Sequence, residues 1–158
     1  MAPHESSDWG GGYLVCRVCE HLWAIPIEHV QETLRPLAVE PLASMPPFVR
    51  GISVIRGSPV PVVEAATLLA SENGEPSTRL VVLKTGARRV ALAVQSVLGV
   101  RTLAPSSLQE LPALLQKANA AAVAAIGTLD EQLLLVLRAA RFIPDDVWES
   151  CSAMDAAP

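Results

Sequence analysis

Two cysteines are the first candidates for chemistry in this chain of 158 residues. Cys16 and Cys19 have the Cys-x-x-Cys spacing of redox pairs and zinc ligands. The residues around them predict a strand, and side chains three apart on a strand point to opposite faces, so the two sulfurs should diverge. A structural zinc site also needs four ligands, and only His21 is close in sequence. We therefore expect buried or half-buried cysteines on a strand and no metal site.

The histidines and acids do not form a recognisable catalytic group. His4, His21 and His29 lie apart, and no serine or cysteine has the Gly-x-Ser-x-Gly elbow of a nucleophile. Glu28 and Glu32 are four residues apart, but a carboxylate pair without a pocket is usually surface charge. No glycine-rich phosphate-binding motif occurs. The sequence thus predicts a protein that is not an enzyme and that needs no cofactor.

Charge and hydropathy exclude several further classes. A net charge of −4 argues against nucleic acid, because a polyanion needs clustered cations. The basic pair Arg88-Arg89 falls at an expected turn, where its ordinary role is that of a solvated turn. The longest apolar stretches, residues 120–126 and 133–137, are far shorter than the roughly 20 residues of a membrane span. The first 12 residues resemble a flexible tail rather than a signal peptide, and we expect a cytoplasmic protein.

The strongest structural signal is a hairpin that carries an arginine at its tip. Residues 52–55 and 60–63 are β-branched runs, and Arg56 begins the turn between them. Pro59 and Pro61 cannot donate hydrogen bonds to a neighbouring strand, so we expect the second strand to lie at a sheet edge or beside a bulge. Because no catalytic group accompanies Arg56, the hairpin is predicted to be a recognition surface.

The rest of the chain is predicted to consist mainly of short strands. Runs 80–83 and 90–94 are apolar throughout, which is typical of strands covered on both faces. A short helix is expected over residues 64–70, and a loop with helical turns over 105–119. Roughly nine or ten short strands with regular turns favour barrels or a sandwich. The other predicted strands are residues 13–19, 22–27, 30–34, 120–129 and 132–138.

Four segments in order resemble the CheW-like domains of chemotaxis coupling proteins. In the hairpin segment, Gly51-Ile52 matches the family's Gly-Val, Ile55-Arg56-Gly57 matches its Leu-Arg-Gly, and Pro61 matches its following proline. The resemblance covers roughly residues 13–143. The four segments are residues 23–32, 46–65, 90–97 and 126–137.

The resemblance implies a specific architecture. CheW-like domains are mainly β and consist of two SH3-like five-stranded β-barrel subdomains that share a hydrophobic core, with a few short helices. By this resemblance residues 13–144 form a single CheW-like domain. A flexible tail over residues 1–12 precedes it, and a short helix and tail over residues 145–158 follow it.

The resemblance also implies a function without catalysis. CheW-like adaptors couple the signalling tip of a methyl-accepting chemoreceptor to the regulatory domain of a CheA-type histidine kinase, within cytoplasmic receptor arrays. By position, Val30, Glu32 and Arg50 match kinase-binding residues, and Arg56 and Val97 match receptor-binding residues. Two alternatives remain open: Val30 and Val97 as plain core residues, and Arg56 as a salt bridge that fixes the hairpin.

Some positions depart from the family pattern. Glu64-Ala65-Ala66 stands where the family has Asp-Leu-Arg, Ala91 replaces a glycine, and Gln95 replaces an aspartate. These departures leave open whether the pathway is flagellar chemotaxis or an alternative chemosensory system. Two other functions also remain open: a small-ligand-binding or enzymatic β-barrel that uses the groove between the barrels, and a free-standing SH3-like peptide binder.

Overall fold

The computed structural model describes residues 11–68, 76–110 and 123–137. Within these ranges the chain forms eleven strands, one short α-helix and two 3₁₀ turns. The elements are β1 (Gly11–Val18), β2 (His21–Pro26), a 3₁₀ turn (Ile27–His29), β3 (Val30–Leu34), β4 (Val49–Ile55), β5 (Ser58–Glu64), α1 (Ala65–Leu68), β6 (Arg79–Thr85), β7 (Arg88–Val94), β8 (Ser96–Leu103), a 3₁₀ turn (Pro105–Ser107), β9 (Leu108–Glu110), β10 (Val123–Leu129) and β11 (Gln132–Leu137).

The strands form two sheets, which confirms the predicted mainly β class. The six-stranded sheet has the order β8-β1-β2-β11-β10-β9, and the five-stranded sheet has the order β3-β6-β7-β5-β4. The chain crosses from the first sheet to the second at the 3₁₀ turn Ile27–His29, and it returns at Gln95. The two sheets are therefore joined by two short crossovers.

Both sheets contain the same arrangement of five strands. In the first, the hairpins β1–β2 and β10–β11 meet where β2 and β11 pair in parallel. In the second, the hairpins β6–β7 and β4–β5 meet where β7 and β5 pair in parallel. An edge strand, β8 or β3, then pairs antiparallel with the first hairpin. This arrangement fits two SH3-like barrels, a detail that stays a prediction, and the first sheet adds a sixth strand.

Each sheet curls around its own hydrophobic cluster. In the six-stranded sheet all six strands contribute to one cluster, including Leu103 from one edge and Leu108 from the other. A flat sheet of six strands would hold its edges about 24 Å apart, so these contacts require strong curvature. The five-stranded sheet surrounds its cluster in the same way. That second cluster is Ile55, Val60, Val62, Leu80, Val82, Ala91 and Ala93, with Leu34 and Val39 packed against it.

The opposite faces of the two sheets meet in a shared core. Along β6, Leu80 and Val82 point into the five-stranded sheet's own cluster, whereas Val81 and Leu83 point into the shared core. This alternation explains the unbroken apolar runs of the sequence and confirms that both faces are covered. The buried members of the shared core are Leu14, Cys16, Val18, Trp23, Ile25, Val49, Val63, Ala65, Val81, Leu83, Val90, Leu92, Val94 and Leu137.

Of the two positions expected from the prolines, the sheet edge is wrong, because β5 lies between β4 and β7. The other is observed, since β5 lies beside a register shift between Val49 and Gly51 of β4. The parallel pairing with β7 begins only at Val62, whereas Pro59 and Pro61 lie earlier in β5. Proline is tolerated there because its nitrogen faces the side of β5 that β7 does not yet cover.

Two further strands were not expected. The whole of β8 lies where no strand was predicted, and β9 lies inside the predicted loop over residues 105–119. The predicted helix after residue 64 is observed as α1 (Ala65–Leu68). The flexible tail predicted over residues 1–12 is wrong at its end, because Gly11 and Gly12 belong to β1. Residues 1–10, the predicted helix and tail over residues 145–158, and most of the predicted loop after Glu110 lie outside the described residues.

Candidate functional site

Two of the predicted residues lie directly after the crossovers between the sheets. Val30 is the first residue of β3, and Val97 is the second residue of β8. Both side chains are partly buried and pack against the shared core. The crossovers therefore bring two residues that are far apart in sequence to the rim of one hydrophobic core.

A bulge in β8 places another valine on the same face as Val97. Val97 lies opposite Cys16, and Val100 lies opposite Leu14, with a register shift between them. Both Cys16 and Leu14 point into the shared core, so Val97 and Val100 share that face although they are three residues apart. Leu98 is the additional residue that the bulge accommodates.

The apolar surface continues from Val100 to the first crossover. A Cβ atom built on Gly12 would lie 3.2 Å from Cγ2 of Ile27 and 4.0 Å from Cγ1 of Val100, so these two side chains flank Gly12. Ile27 is 40% exposed and Val100 is 59% exposed. We call Ile27, Val97 and Val100 the crossover surface. The sequence did not single out Ile27 or Val100, because the pairing of β1 with β8 was not evident.

Arg56 and Glu32 form a two-pronged ion pair. Nε of Arg56 donates to one carboxylate oxygen of Glu32 at 3.0 Å, and an Nη donates to the other at 2.8 Å. Such parallel hydrogen bonds hold the guanidinium in a fixed plane. Arg56 has a φ of 54°, in the left-handed region that usually takes glycine or asparagine. A two-residue hairpin turn requires a positive φ at both central residues, and Gly57 has a φ of 77°, so the turn accounts for the conformation of Arg56.

This ion pair connects the two edges of the five-stranded sheet. Glu32 lies on β3, and Arg56 lies at the tip of the β4–β5 hairpin. The loop after β3 also reaches β4, because Glu40 and Ile52 exchange two backbone hydrogen bonds of 2.8 and 2.9 Å. Gly51 permits this contact, since a Cβ there would lie 2.1 Å from the Glu40 carbonyl oxygen. The ion pair therefore joins the β4–β5 hairpin to β3, rather than fixing the hairpin alone.

Electrostatics keep both partners of the ion pair charged. Hydrogen bonds from Arg56 lower the pKa of the Glu32 carboxyl below its ordinary value, despite opposing desolvation. The positive charges of Arg56 and Arg89 lower that pKa further. The same hydrogen bonds raise the pKa of the Arg56 guanidinium. Arg89 is thus close enough to act on Glu32 electrostatically.

Arg50 lies at the other end of the β4–β5 hairpin from Arg56. Its guanidinium is 3.8 Å from the carboxylate of Glu64, the residue that replaces the family's aspartate. Glu64 also accepts a hydrogen bond of 2.5 Å from the Ser77 hydroxyl. The negative charge at this position therefore attracts Arg50 and links the end of β5 to Ser77, two residues before β6.

Cys16 and Cys19 have structural roles. Cys16 is buried in the shared core, and burial raises the pKa of its thiol to about 12, which leaves it protonated and unreactive at neutral pH. Cys16 and Cys19 are both free thiols, and Cys19 lies in the β1–β2 turn with a φ of 57°. Within the described ranges, no three His, Cys, Asp or Glu side chains are grouped to hold a metal ion.

The predicted kinase-binding residues and the predicted receptor-binding residues do not form two separate groups in the structure. Val30 and Val97 contact one shared core, Glu32 binds Arg56, and Arg50 lies near Glu64. Val30 and Glu32 lie on opposite faces of the five-stranded sheet, since they pair with Leu83 and Val82 across a register shift. The assignment of each residue to a kinase or a receptor stays a prediction.

The fold is a domain of two curled sheets, each with its own hydrophobic cluster, that are joined by two crossovers and a shared core. A family model, the CheW-like domain, matches residues 12–147, and the chain belongs to this family. It is similar to the protein FrzA of Myxococcus xanthus, with 33% identity over 89 residues that cover 55% of this chain and 56% of that protein. It is also similar to the chemotaxis protein CheW of Klebsiella aerogenes, with 25% identity over 130 residues covering 81% and 78%.

A solved structure supports the fold. The scaffolding protein TtCheW from Thermoanaerobacter tengcongensis superposes with a TM-score of 0.73 at 20% identity, covering 82% of this chain and 89% of that chain. Among the residues described here, no helix combines the length and apolar character that crossing a membrane requires.

Proposed function

We propose that this protein is a non-catalytic adaptor that couples chemoreceptors to a CheA-type histidine kinase in a chemotaxis or alternative chemosensory pathway. It acts in the cytoplasm and is recruited to receptor arrays. Membership of the CheW-like family supports the adaptor class. The observation that carries the proposal is the crossover surface, where partly exposed apolar side chains stand on the rim of a rigid shared core.

The crossover surface suits the apolar face of a receptor helix. Ile27 and Val100 flank Gly12, whose missing side chain leaves a shallow depression between them. An amphipathic helix binds such a depression through apolar side chains spaced along one face. Val97 lies at the inner edge of the surface, so a helix docked there covers Val97 as well. We propose that this surface contacts the signalling tip of the receptor.

The proposed kinase-binding residues share the edges of the five-stranded sheet. Val30 and Glu32 lie on β3, Arg50 lies on β4, and β3 and β4 are the two edge strands of the sheet. Edge strands leave backbone groups available to a second protein, except at Ile52 of β4, whose backbone bonds to Glu40. We propose that the regulatory domain of the kinase binds along these edges, with Arg50 held in place by Glu64.

The rival function, a small-ligand-binding or enzymatic barrel, needs polar groups that converge in a pocket. Both sheets instead enclose hydrophobic clusters, and the shared core between the sheets is also formed by apolar side chains. The buried polar side chain in the described part of the chain, Ser53, donates a hydrogen bond of 2.7 Å to the Ala38 carbonyl oxygen. That contact anchors the loop after β3, which is a structural role.

Titration with two purified fragments tests the proposal. The fragments are the regulatory domain of a CheA-type kinase and the signalling tip of a receptor, both encoded in the same genome. We expect each to bind, as measured by calorimetry. Failure of every such kinase and receptor fragment to bind the folded protein would refute the adaptor function and favour the rival.

A further inference from the structure

The hairpin turns of the two sheets lie at equivalent positions but carry opposite charges. Arg56-Gly57 joins β4 to β5, and Asp130-Glu131 joins the equivalent strands β10 and β11. All four residues have a positive φ, between 50° and 77°, so the two turns have similar backbone geometry. The second pair of equivalent turns differs in the same way, since Glu20 lies in the β1–β2 turn and Arg88 directly follows the β6–β7 turn.

Within each sheet both turns lie at the same end, because the two hairpins meet through parallel strands. β2 and β11 are parallel, and so are β5 and β7. In the six-stranded sheet, Arg17 of β1 donates a hydrogen bond of 3.1 Å across β2 to the side chain of Gln132, the residue after the β10–β11 turn. We call the exposed acids of this sheet's turns, Glu20, Asp130 and Glu131, the acidic tips. We call the cations of the β6–β7 hairpin, Lys84, Arg88 and Arg89, the basic tips.

The crossovers place the acidic tips and the basic tips at opposite ends of the molecule. The first crossover leaves β2 at Pro26, remote from the β1–β2 turn, and enters β3 at Val30, close to the β6–β7 turn. The second leaves β7 at Val94, remote from the β6–β7 turn, and enters β8 at Ser96, close to the β1–β2 turn. Both crossovers are short, so the turns of each sheet lie beside the far end of the other sheet. The two sets of tips are therefore separated by about the length of a strand, roughly 20 Å.

Most charges at the tips lack an ion-pair partner in the described part of the chain. None of the acidic tips, and neither Lys84 nor Arg89, takes part in an ion pair there. Arg17, which lies beside the acidic tips, is half-buried and donates to an uncharged amide. Arg56 is already paired with Glu32, so the excess positive charge comes from the β6–β7 hairpin. Each end thus presents charge that a second molecule can neutralise.

We propose that this protein associates head to tail with further copies of itself, so that the acidic tips of one copy bind the basic tips of the next. Opposite charges attract unlike ends, whereas like ends repel each other. The contact is heterologous, because each copy contributes a different surface, and it leaves one end of each pair of copies unused. Repetition of such a contact produces rings or open chains. The proposal is independent of the adaptor function.

Each end also offers an exposed apolar side chain beside its charges. Val54 is 70% exposed and lies in the second strand pair from the Arg56-Gly57 turn. Leu133 is 42% exposed and lies in the second strand pair from the Asp130-Glu131 turn. Apolar contacts surrounded by charged groups are typical of interfaces between proteins. Because few residues contribute on each side, the association should be weak and should depend on protein concentration.

Paired charge reversals test the proposal by sedimentation velocity of the full chain. We expect the wild-type protein to associate at low salt, about 50 mM, and to dissociate as the salt concentration rises. Asp130→Lys/Glu131→Lys reverses the charge of the acidic tips, and Lys84→Glu/Arg88→Glu reverses that of the basic tips. Each double variant then has two ends of like sign, and alone it should associate about tenfold more weakly or less. An equimolar mixture of the two variants should recover the association, because their ends are complementary.

A single reversal outside the turns is the matched control. Glu131→Lys should weaken association about fivefold or more. Glu40→Lys makes the same change of net charge at an exposed glutamate in the loop after β3, and it should change association by less than about twofold. Circular dichroism shows whether each variant is folded.

Three results would overturn the proposal. They are a wild-type protein that stays monomeric at low salt up to about 1 mM, equal effects of Glu131→Lys and Glu40→Lys, and a mixture of the double variants that associates no better than either alone. No kinase or receptor fragment enters this experiment. Its failure therefore leaves the adaptor function intact, and failure of the fragments to bind leaves the head-to-tail contact intact.

Discussion

Replacement of Val100 by serine tests the role of the crossover surface most simply. Val100 lies on an edge strand, and 59% of it is exposed, so the substitution leaves the shared core in place. Complete burial of a valine side chain contributes about 1.5–3 kcal/mol. Roughly three-fifths of Val100 is still exposed, and a bound partner would bury that part. Val100→Ser should therefore reduce the binding free energy by about 1–2 kcal/mol.

Val54→Ser is the matched control for this prediction. Val54 is also a valine on an edge strand, and it is 70% exposed, but it lies on β4 of the other sheet. We expect Val100→Ser to weaken binding of the receptor fragment about 5- to 30-fold, the equivalent of 1–2 kcal/mol. Val54→Ser should leave that affinity within about twofold.

Isothermal titration calorimetry of both variants gives the comparison, with circular dichroism as the check on folding. Equal affinities for Val100→Ser and the wild-type protein would refute the crossover surface as the receptor site. An equal loss in both variants would show that exposed apolar area anywhere on the protein contributes, and it would also refute the assignment.

Three further predictions concern the ion pair and the edge of the five-stranded sheet. Arg56→Glu should leave the fold intact but weaken receptor binding about tenfold or more, as measured by titration. The double variant Arg56→Glu/Glu32→Arg should bind the receptor as weakly as Arg56→Glu does. Recovery of binding in the double variant would show that Arg56 acts only through Glu32. In an NMR pH titration, the carboxyl of Glu32 should protonate at a pH below its ordinary pKa. The ion pair is therefore fully formed above the ordinary pKa and is lost as the pH falls through the lowered pKa. Arg56→Gln should raise the pKa of Glu32, and an unchanged pKa in this variant would contradict the hydrogen-bonded pair. Gly51→Ala should lower the free energy of unfolding about 2 kcal/mol more than Gly99→Ala does. Both glycines have a positive φ, but only a Cβ at Gly51 would meet the backbone oxygen of Glu40 and break the two hydrogen bonds between Glu40 and Ile52. Equal losses of the two variants in denaturant unfolding would contradict this.

The sequence predicted much of the fold because hairpins leave local signals. The β-branched runs around Arg56-Gly57 indicated the β4–β5 hairpin, and the apolar runs of β6 and β7 indicated strands with two covered faces. Both features depend on residues that are close in sequence and on the alternation of side chains between the two faces of a strand. They therefore remain visible without knowledge of the tertiary contacts.

The missed features depend on pairing over long distances. β8 is an edge strand whose alternation is interrupted by the bulge at Leu98, so its pattern does not predict a strand. The binding of Arg56 to Glu32 joins residues 24 positions apart. It requires the two edges of a curled sheet to approach each other, and no local pattern encodes that approach. The exposed position of Val100 follows from the same unpredicted register.

The most direct test of the adaptor function is whether one molecule of this protein binds kinase and receptor at the same time. Analytical ultracentrifugation of the protein with both fragments measures this without any variant. We predict a ternary species that sediments faster than either binary complex. Mutually exclusive binding, in which one fragment displaces the other, would contradict the assignment of the receptor to the crossover surface and of the kinase to the sheet edges.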